Sequence, residues 1–308
     1  MEKILISAKK ALKSGKLIIF PTETVYGLGA DATNKEAIKS LYSLKKRPIN
    51  NPLICHFSNL LKIKENFEFN SLDLKLAKKF WPGPLTLILK KKQSSKIQSI
   101  LSNNTNFVGC RIPKNIVTLK LLRSLSFPLA GPSANIANKI SATRISDLSK
   151  KLVENALVIN SNQSKFGLES TVIKTCGEKI NILRLGSITE DEILYYFPKN
   201  KIIKKNLNKS LSPGNLKKHY SPNKPIRINV KKIKSNEGLL NFGKNNLKSK
   251  IFALNLSEKS DLKEAGKNLF HYLNLLDESK CKSIAVVEIP KKGLGKTIND
   301  RLKRAAGK

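Results

Sequence analysis

Apolar positions along this chain alternate between two spacings, and that alternation predicts its architecture. Over residues 2–14, Ile4, Leu5, Ala8, Ala11 and Leu12 share one helical face, and Gly15 supplies the stop. Ile18, Ile19 and Phe20 form a short apolar run ended by Pro21, as a buried strand does. Thr33 to Glu36 has capping-box spacing and opens a helix over 34–45, in which Ala37, Ile38, Leu41 and Tyr42 recur at helical intervals. Strand-like runs follow at 85–89, 108–112, 157–159, 171–173 and 180–183, with helical patterns at 72–80, 115–125 and 144–153. A second capping box, Thr189–Glu192, opens a helix that ends near Phe197–Pro198. The succession predicts a mixed α/β domain over residues 1–200.

Periodicity fades from Lys199 to Lys224, where Lys, Asn, Ser and Pro dominate, so a linker is expected over 201–224. Strand patterns at 226–230, 251–254 and 284–289 then alternate with helical ones at 262–276 and 299–306. That predicts a smaller Rossmann-like unit over 225–308.

The densest polar chemistry lies between Pro21 and His56, where PTETVYGLG and KKRPINNPLICH flank the helix of residues 34–45. Open α/β sheets bind ligands at the carboxyl ends of their strands, and the Thr-Glu-Thr and Gly27-x-Gly29 segments fall at such a position. The loop beyond carries Lys45, Arg47, Asn51 and His56. Arg111 ends an apolar strand and precedes Pro113, which suits a carboxylate clamp. Gly295-Lys296-Thr297 is no Walker A loop, because Pro290 stands where that loop needs glycine. The four cysteines form no CxxC pair, so neither a disulfide framework nor a zinc site is indicated. No aspartate cluster announces a metal.

The formal net charge is +36, which admits a nucleic-acid-binding surface or a lysine-rich compositional drift. The even spread of the lysines favours drift. Against that background the eight arginines stand out, and Arg47, Arg111 and Arg184 mark places that need a planar, bidentate cation. No apolar run approaches a membrane span, and Lys9, Lys10 and Lys13 interrupt any signal-peptide core, so a cytoplasmic protein is expected.

Seven motifs in order carry a resemblance: PTETVYGLG, KxRPxxNPL with His56, WPGPLT (Trp81–Thr86), CRIP (Cys110–Pro113), GPSAN (Gly131–Asn135), GLESTV (Gly167–Val172) and LRLG (Leu183–Gly186). They resemble the Sua5/YrdC family of threonylcarbamoyl-AMP synthases. SPGNLKKHYSP (Ser212–Pro222) and GLGKTINDRLKRAA (Gly293–Ala306) resemble the linker and C-terminal domain of its longer members. The resemblance implies a YrdC-like twisted mixed sheet with flanking helices. It also implies condensation of L-threonine, bicarbonate and ATP with release of pyrophosphate, for modification of an adenosine beside the tRNA anticodon. By resemblance, Thr22, Thr24, His56, Arg111 and Ser170 face threonine. Lys45, Arg47, Asn51, Ser133, Asn135, Ser141, Arg184 and the lid residue Tyr220 face ATP, whose phosphates would carry any Mg²⁺. A downstream threonylcarbamoyl transferase complex is the implied partner. Two residues depart from the pattern: Leu185 replaces a usual proline, and Phe107 a frequent threonine. The rival is a non-catalytic protein of the same fold that binds double-stranded RNA or tRNA.

Overall fold

Phe20 sets how the first strands meet. β1 (Ile18–Phe20) pairs antiparallel with β2 (Gly27–Asp31), and the Phe20 ring fills space that side chains on three neighbouring glycines would occupy. A Cβ on Gly27 would stand 2.5 Å from that ring, one on Gly131 2.7 Å and one on Gly29 3.0 Å. The Gly27-x-Gly29 pair, expected at a strand end, lies within β2 itself.

The computed structural model describes residues 2–160, 164–203 and 219–307. Most of the expected linker, including the first seven residues of SPGNLKKHYSP, lies outside the described residues. The remaining strands of the large sheet are β3 (Ile54–His56), β4 (Phe67–Glu68), β5 (Leu85–Lys91), β6 (Phe107–Arg111), β7 (Leu129–Ala130), β8 (Leu157–Val158), β9 (Thr171–Cys176), β10 (Lys179–Arg184) and β11 (Ile202–Ile203). Among the described residues they run in the order β11-β10-β9-β5-β6-β3-β7-β2-β1-β8, with β4 paired to β5. Parallel and antiparallel neighbours mingle, so the sheet is mixed.

Helices α1 (Glu2–Lys13), α2 (Lys35–Lys45), α3 (Leu60–Asn66), α4 (Ser71–Phe80), α5 (Ile116–Ser124), α6 (Lys150–Asn155) and α7 (Glu190–Tyr196) flank it. Ala8 and Leu12 of α1 and Leu121 and Leu122 of α5 bury one face with Ile18 and Phe20. Ile38 and Leu41 of α2 and Leu72 and Leu76 of α4 join the larger core with Leu28 and Leu87.

Two expected helix starts are corrected. Asn34, not Thr33, caps α2: its Oδ1 accepts from the Glu36 and Ala37 amides at 3.0 Å each. Thr33 is held instead by Asp31 Oδ1, which accepts from its amide and hydroxyl, both at 2.7 Å. The pattern over 144–153 splits into a 3₁₀ turn at Ile145–Asp147 and then α6. There Asp147 Oδ2 accepts from the amides of Thr143 and Arg144.

A second sheet follows, built from β12 (Ile226–Ile228), β13 (Glu237–Asn241), β14 (Ala253–Asn255) and β15 (Ser283–Val286) in the all-parallel order β12-β15-β13-β14. α8 (Leu262–Glu278) and α9 (Leu294–Ala305) accompany it, giving a small Rossmann-like unit. α9 begins five residues before the expected Asn299, at the turn of Gly293. The two sheets meet closely. Gly167 has φ +68°, and a Cβ there would lie 2.5 Å from the Gly266 carbonyl oxygen of α8. Thr297 Oγ1 donates to the Gly186 carbonyl at 3.0 Å, and His271 Nδ1 lies 2.6 Å from Asp147 Oδ1.

Candidate active site

Strand ends and turns of the large sheet open onto one cavity. Its walls include Thr22, Thr24, Arg47, His56, Arg111, Ser133, Ser170, Arg184 and Tyr220, nine of the thirteen expected site residues. Arg47, Arg111 and Arg184, separated by up to 137 positions in sequence, thus share a single wall. The other four, Lys45, Asn51, Asn135 and Ser141, stand behind it.

Arg111 ends β6 beside His56 of β3, its register partner. Its Nε donates to the Gly83 carbonyl at 3.2 Å, Nη1 to Thr24 Oγ1 at 3.0 Å and Nη2 to Glu23 Oε1 at 2.7 Å. Arg111 and Glu23 form an ion pair with both side chains buried. A guanidinium has five N–H donors, so two of those on Arg111 make no bond to a described residue. Thr22 and Thr24 divide their roles. Thr22 Oγ1 donates to the Val25 carbonyl at 2.6 Å and accepts from the Thr24 and Val25 amides, so it caps the turn. Its one hydrogen being used, the 2.8 Å contact with Thr24 runs from Thr24 to Thr22. Thr24 is thereby oriented to accept from Arg111.

His56 packs edge-on against Phe20, with ring centroids 5.3 Å apart. Its Nδ1 is buried and makes no hydrogen bond to a described residue. Burial, helped by the Arg111 charge, pushes its pKa down to about 3, so the imidazole is neutral at physiological pH. Thr86 Oγ1 lies 2.7 Å from Ser170 Oγ. Arg184 donates to both the carbonyl and hydroxyl of Ser170, through Nη2 at 2.7 and 3.0 Å.

On the other side, Arg47 donates from Nε and Nη2 to the Asn51 and Pro52 carbonyls and to Asn51 Oδ1 at 2.5 Å. Its Nη1 makes no bond to a described residue, and burial lowers its pKa to about 10. Asn51 is therefore the holder of Arg47. Lys45 is also a holder: Nζ donates to the Ser133 carbonyl at 2.7 Å, the Asn135 carbonyl at 2.5 Å and Asn135 Oδ1 at 3.0 Å. All three of its donors are engaged, and burial with the nearby Arg47 charge drives its pKa well below the ordinary value. In this arrangement no Nζ donor is left over for the phosphate contact expected of Lys45. Asn135 in turn accepts from Ser133 Oγ and donates to the Ile136 and Lys139 carbonyls, so it shapes the GPSAN turn. Ser141 Oγ donates to Glu169 Oε1 at 3.1 Å.

His219 and Tyr220 complete the wall from the far end of the expected linker. Tyr220 takes φ +59°, stacks on Phe270 of α8 at 5.3 Å and is pushed by burial up to a pKa of about 12. Three residues of the site had no role in the sequence reading. Glu23 pairs with Arg111, Glu169 lines the cavity, and Arg301 of α9 donates to Glu169 Oε2 at 3.0 Å. Burial raises the Glu169 pKa, but Arg301 and Arg184 outweigh it and hold the carboxyl at about 2. The scarcity of arginine is a signal that could have found Arg301. The two glutamates sit inside quoted motifs.

The cavity wall holds three arginines and one carboxylate, Glu169, which is already paired. Such a surface favours anionic ligands. A mixed sheet with a buried, arginine-lined cavity, accompanied by a second Rossmann-like unit, defines a two-part α/β protein with a cationic pocket. The model of the family comprising Sua5, YciO and YrdC, described as "Telomere recombination", matches residues 10–186. A second model, "Threonylcarbamoyl-AMP synthase, C-terminal domain", matches residues 181–307. The chain belongs to the Sua5/YrdC family. It is 30% identical to the threonylcarbamoyl-AMP synthase of Pyrococcus abyssi over 96% of this chain and 92% of that protein. The Bacillus subtilis threonylcarbamoyl-AMP synthase is 30% identical over 98% of this chain and 93% of its own length. The crystal structure of P. abyssi Sua5 complexed with L-threonine matches with TM-score 0.87 at 30% identity, covering 99% of this chain and 94% of that one. E. coli YciO, at TM-score 0.55 and 20% identity over 60% of this chain and 90% of its own, shares the fold of the first part. No helix among the described residues is long and apolar enough to cross a membrane.

Proposed function

We propose that this chain is a nucleotidyltransferase that makes L-threonylcarbamoyladenylate from L-threonine, bicarbonate and ATP, releasing pyrophosphate. The product would serve N6-threonylcarbamoyladenosine formation at position 37 of tRNAs reading ANN codons, through a downstream transferase complex. The observation that carries this reading is the convergence of Arg47, Arg111 and Arg184 on one cavity with the neutral imidazole of His56.

In this reading the two unengaged N–H groups of Arg111 take the threonine carboxylate, and Thr24 and Ser170 stand beside them. The neutral threonine amine attacks the carbon of bicarbonate; an N–C bond forms, a C–O bond breaks, and the released hydroxide takes the amine's proton and departs as water. A group held near pKa 3 is a weak base at neutral pH, so His56 orients the amine or the carbamate by a hydrogen bond rather than removing the proton. A carbamate oxygen then attacks the α-phosphorus, and the bond to pyrophosphate breaks. Arg47, through its unengaged Nη1, and Arg184 face the charge that develops on the phosphoryl oxygens. Lys45 and Asn135 hold the turn that presents Ser133, and Tyr220 borders the nucleotide from outside.

Glu23 and Glu169 are already bonded to Arg111 and Arg301, so they make poor metal ligands, and we keep Mg²⁺ with the ATP phosphates. Burial argues against the RNA-binding rival. Arg47, Arg111 and Arg184 are each no more than 8% exposed, and a duplex backbone cannot reach such groups.

Purified protein incubated with ATP, bicarbonate and each amino acid in turn tests the reading. Pyrophosphate should appear only with threonine and bicarbonate together. Release indifferent to the amino acid would end the claim.

A further inference from the structure

One guanidinium from the second sheet's domain reaches the back of the cavity. Arg301 of α9 is 1% exposed. Its Nε donates to Glu169 Oε2 at 3.0 Å and its Nη2 to the Leu185 carbonyl at 2.6 Å. Its guanidinium carbon lies 5.0 Å from the centroid of the Tyr220 ring, and its Nη1 donates to its neighbour Asp300 at 2.5 Å. Each of the first three contacts falls on or next to a residue of the cavity wall. Glu169 precedes Ser170, Leu185 follows Arg184, and Tyr220 is itself part of the wall.

We propose that Arg301 is a positioning residue through which the C-terminal domain sets the nucleotide side of the cavity, by neutralising Glu169 and fixing Leu185 and Tyr220. The inference rests on the synthase reading above. The chemistry follows from the charges. Glu169 is the one carboxylate among the described residues of the cavity wall, and ATP is an anion. Unpaired, Glu169 would repel the nucleotide's phosphates across a desolvated space. Paired, it also fixes Ser141. Arg184, Lys45, His219 and Tyr220 face it as well, yet Arg301 is its ion-pair partner in contact. A residue that only docked the two domains would affect both substrates alike. Arg301 should act on one.

The test uses the full-length chain and its Arg301→Gln, Arg301→Lys, Glu169→Gln and doubly substituted (Glu169→Gln with Arg301→Gln) variants. ATP affinity is read by calorimetry, KM is measured for both substrates, and folding is checked by melting. Arg301→Gln should weaken ATP binding about tenfold or more while the threonine KM moves less than about threefold. Removing the Glu169 charge as well should recover at least about half of that loss on a logarithmic scale. Arg301→Lys, which keeps the charge without the fork, should fall between. Unchanged ATP affinity in Arg301→Gln, equal weakening of both substrates, or no recovery in the double variant would overturn the proposal. Should Arg301→Gln not fold, Arg301→Lys decides: wild-type ATP affinity there overturns it, and a loss confined to ATP sustains it. A wild-type chain that binds ATP but releases no threonine-dependent pyrophosphate would count against the synthase reading instead, and the nucleotide affinities would still judge Arg301.

Discussion

At the scale of single residues, each arginine of the wall has a different dependent. Arg111 neutralises the buried Glu23, whose other oxygen accepts from the Lys114 amide at 3.0 Å. Arg111→Ala should therefore abolish threonine-dependent turnover and lower stability by about 3–5 kcal/mol, the range for a stranded buried charge. Arg47 is held by carbonyl and amide oxygens alone, so Arg47→Ala should raise the ATP KM about tenfold or more with a smaller loss in denaturant melts. Wild-type kinetics in both variants would refute the division of the cavity. His56 and His219 supply a pH signature. Burial holds each near pKa 3, below the ordinary 6.5. Between those values the unfolded chain binds protons that the native chain refuses, so stability falls as pH drops below about 6.5. The slope is about 1.4 kcal/mol per pH unit for each histidine. The Glu169 carboxylate, held at about 2, adds its own loss only below its ordinary 4.5. Urea melts of the wild type and His56→Gln from pH 7 to 5 should show the slope reduced in the variant; parallel lines would contradict the burial argument. Sequence located residues at the cavity better than it told what each touches. Lys45 and Arg47 read alike as cations in a loop, yet three oxygens from a distant turn engage every donor on the lysine.

At the scale of elements, glycine explains what was legible and what was not. Strands such as Leu85–Lys91 and Phe107–Arg111 announce themselves through apolar runs. Gly27–Asp31 does not, because its glycines exist to admit the Phe20 ring and carry no strand propensity. The capping error at Thr33 has the same local cause. Asp31 competes for the threonine hydroxyl, and spacing alone cannot show that. Gly131→Ala tests the packing directly. Its Cβ would press on the Phe20 ring at 2.7 Å and approach His56 Nδ1 at 3.3 Å. Stability should drop by about 1–3 kcal/mol in urea, and threonine turnover should fall with it. A neutral result would mean that the wedge of Phe20 does not set the position of His56.

At the scale of the molecule, the cavity belongs to the large sheet, and the second sheet's unit supports it from behind through Arg301. The loss of periodicity after Lys199 suggests a linker, but it gives no hint of the contact between Arg301 and Glu169. Glu169 and Arg301 lie 132 positions apart and meet only because Gly167 lets α8 come close and Thr297 bonds the Gly186 carbonyl. Such meetings are products of topology, and periodicity carries no record of them. The net charge of +36 has its counterpart in chemistry at a handful of buried cations, whereas lysines on the outer surface remain compatible with drift. The measurement that bears most directly on the account is a crystal structure of the full chain with L-threonine and a non-hydrolysable ATP analogue. The threonine carboxylate should lie within hydrogen-bond distance of Arg111, and the α-phosphate should lie in the same cavity near Arg47 and Arg184. Ligands bound on separate surfaces, or a threonine carboxylate out of reach of Arg111, would contradict it.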